Sequence, residues 1–116
     1  MQCIILCIGG DNLDIQLKKG LLELCVLAVL KKEDSYGYQI VKDSTKYIEI
    51  SESTLYPILK RLENSRYVKS YHKEYNGRLR KYYSITEEGK QKLNSSQEDY
   101  NQIKKIYEFI LGGNHE

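Results

Sequence analysis

Residues 67–85, YVKSYHKEYNGRLRKYYSI, place Asn76-Gly77 between two runs rich in Tyr, Val and Ile. Both central residues of a type I′ turn need positive φ, which Asn and Gly adopt most readily, so this pattern predicts a two-residue β-hairpin. A two-residue loop also sets the register. Tyr75 then faces Arg78, Lys73 faces Arg80 and Tyr71 faces Tyr82, while on the opposite face Ser70 meets Tyr83 and Val68 meets Ile85. The base of the hairpin has apolar groups to bury, and its tip is basic and polar. A lone hairpin is marginal in water, so the remaining chain must supply a surface for that base.

The remaining chain reads as helices. KKGLLELCVLAVLKK (18–32) is apolar nearly all round, as expected of a helix buried by several partners. Ser35 is placed to cap a second short helix over 36–47, with Tyr38, Ile40 and Val41 turned inward. In SESTLYPILKRLEN (51–64), Leu55, Ile58, Leu59 and Leu62 recur at i, i+3, i+4, i+7, and Ser51 or Ser53 can cap. Turning those four inward directs Ser53, Tyr56, Pro57, Lys60, Arg61 and Asn64 outward and leaves Thr54 at the flank. A helix starting near Ser53 puts the chain's single proline, Pro57, in or just after the first turn, where few N–H bonds are lost. Its ring then either presents a flat, donor-free apolar surface outward among polar neighbours, or fixes the entry bend of the helix.

Thr86 starts a last helix, with Glu87 and Glu88 near its positive end. It runs to about Leu111, ahead of GGNHE, which reads as a cap and a frayed tail. Leu93, Tyr100 and Tyr107, with Ile103 and Ile110, recur at seven-residue intervals. Such a helix is about 37 Å long, too long to lie wholly on a small three-helix core. An apolar seam continuing past its own core predicts a homodimer.

Charge points to one partner class. Residues 51–85 carry eight Lys/Arg against three acids, whereas residues 86–116 carry four against six. A basic middle suits a polyanion, and Lys, Arg, Ser, Thr, Asn and Tyr on one helix face suit phosphates and base edges. A membrane partner is not expected, since no run reaches eighteen apolar residues. MQCIILCIGG lacks the basic start and cleavage site of a secretory signal, which favours the cytoplasm. Cys3, Cys7 and Cys25 cannot all pair, and no second Cys/His pair stands at zinc spacing, so no metal or other cofactor is expected. His72 and His115 have no nucleophile or carboxylate at a convincing position, so the chain reads as no enzyme.

Three helices, a hairpin and a long helix predict a mainly α chain with a small β-hairpin. These are the parts of a winged helix-turn-helix, whose third helix lies in the major groove. In this reading residues 1–13 form an extension of open role, 14–85 the winged helix-turn-helix, and 86–116 the dimerisation helix and tail. KKGLLELCVLAVL, SYGYQIVKD, SESTLYPILKRLE and NGRLRKYYSITEEGK, taken together, resemble the PadR family of transcriptional regulators from about Leu17 to Leu93. The resemblance implies a dimeric repressor contacting double-stranded DNA, with a pseudo-palindromic operator and a small hydrophobic or aromatic effector. Carried onto matching positions, it assigns DNA contacts to Ser53, Thr54, Tyr56, Lys60 and Arg61, to Tyr36 and Tyr38, and to Arg78, Arg80 and Lys81 of the wing, beside Lys73. Leu93, Tyr100, Ile103, Tyr107 and Ile110 would form the dimer seam, and Tyr100 and Tyr107 are best placed to line an effector pocket. Two positions depart from the family: Glu52 and Leu79 stand where it often has proline. A winged helix that docks only protein is the alternative, and it leaves the basic middle unexplained.

Overall fold

A computed structural model describes residues 15–113. Its elements are α1 (Ile15–Lys32), β1 (Ser35–Tyr36), α2 (Gly37–Ser44), α3 (Glu52–Asn64), β2 (Val68–Tyr75), β3 (Arg78–Ile85) and α4 (Glu87–Ile110). The core joins Leu22, Val26, Leu27 and Leu30 of α1 to Ile40 of α2, Ile50, and Leu55, Ile58, Leu59 and Leu62 of α3. Val68 and Tyr83 close it from the sheet. Each large aliphatic side chain buried this way contributes about 1.5–3 kcal/mol. The four α3 positions predicted to turn inward are the four that do.

The hairpin has the register expected. Val68 pairs with Ile85, Ser70 with Tyr83, Tyr71 with Tyr82, Lys73 with Arg80 and Tyr75 with Arg78. Asn76 and Gly77 both have positive φ, 53° and 79°, as a type I′ turn requires. The sheet gains a third strand, in the order β1-β3-β2, because Ser35 and Tyr36 pair with Tyr83 and Tyr82. This corrects the role given to Ser35. It is a buried strand residue, and Tyr36 occupies the N-cap position of α2 without a side-chain cap bond. Tyr38 also differs from expectation: it points to solvent, 59% exposed, while Ile40 alone on α2 is a fully buried large side chain. α1 likewise buries only one side and leaves Leu17 and Leu21 exposed.

Ser51 caps α3, accepting from the Thr54 N–H at 3.3 Å, and Leu55 N to Ser51 O is the first α-helical bond. Pro57 is therefore the sixth residue of the helix, one residue deeper than a start at Ser53 would place it. Without an N–H it leaves the Ser53 carbonyl without its helical donor, at an exposed position where water can serve it. α3 ends with Arg66 at φ 68°, the Arg66 N–H bonding Glu63 O and the Tyr67 N–H bonding Leu62 O. That is a Schellman ending with arginine where glycine is usual.

Thr86 caps α4 by accepting from the Gly89 N–H at 3.0 Å, while its own hydroxyl donates to the Arg66 carbonyl at 2.7 Å. One residue thus starts α4 and holds it to the end of α3. α4 closes in a second Schellman ending, Gly112 N to Phe109 O and Gly113 N to Glu108 O, with Gly112 at φ 82°. Its 24 residues span about 36 Å, and only Leu93 of its apolar side chains packs on the core. The remainder projects, which gives the molecule its 60 × 33 × 21 Å outline. Among the described residues, no helix is long and apolar enough to cross a membrane, and no His/Cys/Asp/Glu group could hold a metal ion. Residues 1–13, Cys3, Cys7 and His115 lie outside the described residues.

Candidate nucleic-acid interface

Because α3 buries its leucine stripe, its opposite face is committed to solvent. Ser53, Thr54, Tyr56, Pro57, Lys60 and Asn64 are all exposed along it. The Ser51 hydroxyl bonds both the Ser53 hydroxyl at 3.0 Å and Thr54 Oγ1 at 3.2 Å, a short polar cluster around the helix start. Tyr56 reaches across to α2, where its hydroxyl end covers the backbone of Gly37. Only a residue without Cβ leaves room for that ring. Burial, then the charge of Glu52 and then Tyr83, push the Tyr56 phenol above its ordinary pKa, so it remains a neutral hydroxyl at physiological pH.

Arg61 departs from the expected outward set. Its Nε donates to Glu23 Oε2 of α1 at 2.5 Å, and its Nη2 is buried without a hydrogen-bond partner. The guanidinium therefore turns toward α1, leaving Lys60 as the exposed cation at the centre of the face. Sequence alone could not show this, since Glu23 lies thirty-eight residues away.

The hairpin adds a second basic surface. Lys73 and Arg78 are exposed near its tip, with Lys73 Nζ 5.8 Å from the Tyr82 ring centre. Lys81, on the other face, places its Nζ 5.4 Å from the ring centre of Tyr83. Arg80 is half-buried against tyrosine rings, among them Tyr36, which is itself half-buried. Tyr38 stands exposed at the second position of α2. The Tyr71 hydroxyl donates to Asp34 at 2.6 Å, and that bond is the main reason its pKa lies above the ordinary phenol value. The body and the hairpin are joined again where the Ser70 hydroxyl donates to Glu63 at 2.7 Å.

The expected dimer seam divides in two. Leu93 packs on the chain's own core, whereas Tyr100, Ile103, Tyr107 and Ile110 are exposed. Ile106, Phe109 and Leu111 are exposed beside them, and the seven-residue repeat had not included them. On α1, Leu17 and Leu21 are exposed and Leu24 half-buried, the start of a 4-3-4 spacing that continues to Ala28 and was readable in the sequence. A cavity of about 260 Å³ lies between α1 and the end of α2, lined in part by Cys25, Val29, Ser44 and Tyr47. Tyr100 and Tyr107 are not among its walls. Burial raises the Cys25 thiol pKa, which favours the protonated thiol over the thiolate.

Residues 26–95 match the model of the transcriptional regulator PadR-like family. A PadR family transcription regulator from Clostridium difficile is 35% identical, with a TM-score of 0.72 over 79% of this chain and 99% of that one. One from Eggerthella lenta is 32% identical, with a TM-score of 0.76 over 86% of this chain and 89% of that one. An uncharacterised protein of Lysinibacillus sphaericus is 30% identical over 100 residues, 82% of this chain and 92% of its own length.

Proposed function

The chain belongs to the PadR-like family, one of transcriptional regulators rather than enzymes, and from that premise we propose that it is a cytoplasmic, sequence-specific DNA-binding repressor acting as a homodimer. The observation that carries this reading is the face of α3. Its apolar stripe is spent on the core, and what remains outward is a set of hydroxyls, an amide, the Pro57 ring and Lys60, with Glu52 at the helix start, beside a basic hairpin. In the proposed complex α3 enters the major groove, where Ser53, Thr54, Tyr56 and Lys60 meet base edges and nearby phosphates. Tyr38 and the hairpin charges Lys73, Arg78 and Lys81 meet the backbone. Arg61 acts from behind, holding α3 on α1 through Glu23. Two protomers joined through α4 put two such helices in successive grooves and occlude the promoter. A small hydrophobic or aromatic effector would relieve binding from the seam where Tyr100 and Tyr107 are exposed.

The test is selection of retained sequences from a pool of random DNA duplexes near physiological salt. The expected product is a two-fold-symmetric site with half-sites about 34–36 Å apart. Retention without enrichment, vanishing as salt rises, would reduce the face to a basic surface and overturn sequence-specific binding.

A further inference from the structure

Arg80 lies between two aromatic rings. Its guanidinium carbon is 3.9 Å from the centre of the Tyr36 ring and 4.0 Å from that of Tyr75, and Nη1 donates to the Tyr82 hydroxyl at 3.3 Å. Tyr36 belongs to β1 and Tyr75 to β2, on opposite sides of β3, so one side chain ties all three strands together. Around it, Tyr82 meets Tyr36 edge-on with ring centres 5.6 Å apart and stacks on Tyr71 at 5.7 Å.

The tie matters because of what β1 is. It is two residues long and pairs with β3 only at Ser35–Tyr83 and Tyr36–Tyr82. Beyond it the chain enters α2 directly, with Tyr36 at the N-cap position and Gly37 under the Tyr56 ring of α3. The outer half of the hairpin has no core beneath it: every residue from Tyr71 to Leu79 is exposed, Leu79 by 74%. Without a fixed hinge this arm would swing, and its charges would have no defined place relative to α3.

We infer that Arg80 is a positioning residue: stacked between Tyr36 and Tyr75, it fixes the angle of the hairpin on β1 and so the placement of Lys73, Arg78 and Lys81. The inference deepens the DNA-binding reading and rests on it for the consequence, though not for the mechanics. It differs from a direct phosphate contact in its chemistry. A lysine supplies the same charge and can reach a phosphate, but it has no plane to lie between two rings.

Three substitutions in the full chain separate the roles: Arg80→Lys, Tyr75→Leu and Tyr75→Phe. The first readout is amide hydrogen exchange over residues 72–80 in the free protein. Arg80→Lys and Tyr75→Leu should each speed it by about tenfold or more, and Tyr75→Phe should leave it unchanged. The second is the salt dependence of binding to a random-sequence duplex of about 30 base pairs between roughly 50 and 200 mM salt. Arg80→Lys should flatten the slope by about two phosphate contacts although the charge is kept, because several hairpin cations lose their place together. Tyr75→Leu, made at an exposed ring, gives the same answer if Arg80→Lys does not fold. Unchanged exchange in either variant, or an unchanged slope in Arg80→Lys, would overturn the positioning role. A wild-type chain that binds no duplex would instead overturn the DNA reading, and the exchange data would still decide whether Arg80 holds the hairpin.

Discussion

A Cβ added to Gly37 would stand 2.9 Å from Cζ of Tyr56, and one added to Gly89 would stand 2.7 Å from Cγ1 of Ile85 and closer still to the Tyr67 carbonyl oxygen. The two clashes differ in what can yield. Tyr56 is the far end of a flexible, half-exposed side chain, so Gly37→Ala is expected to fold with nearly the wild-type melting temperature. It should lose DNA affinity, because the displaced ring lies on the recognition face. The Tyr67 carbonyl is backbone and already accepts the Thr86 N–H at 3.0 Å. Gly89→Ala is therefore expected to destabilise by about 1–3 kcal/mol, read by denaturant unfolding, despite alanine's better helix propensity. Lys60 and Arg61 form a second contrast. Lys60→Ala should weaken specific binding by about 1–3 kcal/mol if the ammonium reads a base, with little change in stability. Arg61→Ala should lower stability first, since it strips Glu23 of its partner. Equal losses of affinity at unchanged stability would contradict the Glu23 pairing.

At the scale of elements, Pro57 poses a conflict within α3. It sits in the second turn, where the Ser53 carbonyl would otherwise receive an N–H, and interior proline costs a helix about 3 kcal/mol relative to alanine. Pro57→Ala is expected to raise the unfolding free energy, by less than that figure because the unfolded chain also gains freedom. If the exposed ring touches DNA, the same variant binds more weakly; a variant both more stable and equally tight would leave the ring only its bend. The sequence revealed most where one period controls many residues. The 3.6-residue spacing of Leu55, Ile58, Leu59 and Leu62 and the Asn-Gly turn specify burial and register along whole elements. It revealed least where single residues answer to distant ones. A two-residue strand has no period, so Ser35 reads as a cap in the sequence, and only its pairing with Tyr83 of β3 makes it a strand residue. The sequence turns Tyr38 inward with Ile40, but α2 buries only Gly37, Ile40 and Ser44. The period alone turns Arg61 outward, and only the fold puts Glu23 beside it.

For the whole molecule, the outer half of α4 carries the seam of the proposed dimer. At 100° per residue Tyr100, Ile103, Tyr107 and Ile110 cover an arc of about 80°, the width of a two-helix seam. Adding Ile106, Phe109 and Leu111 widens the apolar arc to about 200°, more than one partner helix can cover. Exposed Leu17 and Leu21 on α1 offer the second surface, so the proposed dimer engages both α1 and α4. Ile103→Asp tests this without disturbing the protomer, because Ile103 is far along α4 from Leu93, the residue that reaches the core. Sedimentation equilibrium should find Ile103→Asp monomeric at concentrations where the wild type is a dimer. Its melting temperature should no longer rise with concentration. Its affinity for a two-half-site operator should fall toward that of one half-site, since the second contact is no longer intramolecular. A variant that stays dimeric would move the interface off this face of α4, leaving the exposed stripe on α1 as the surface to substitute next.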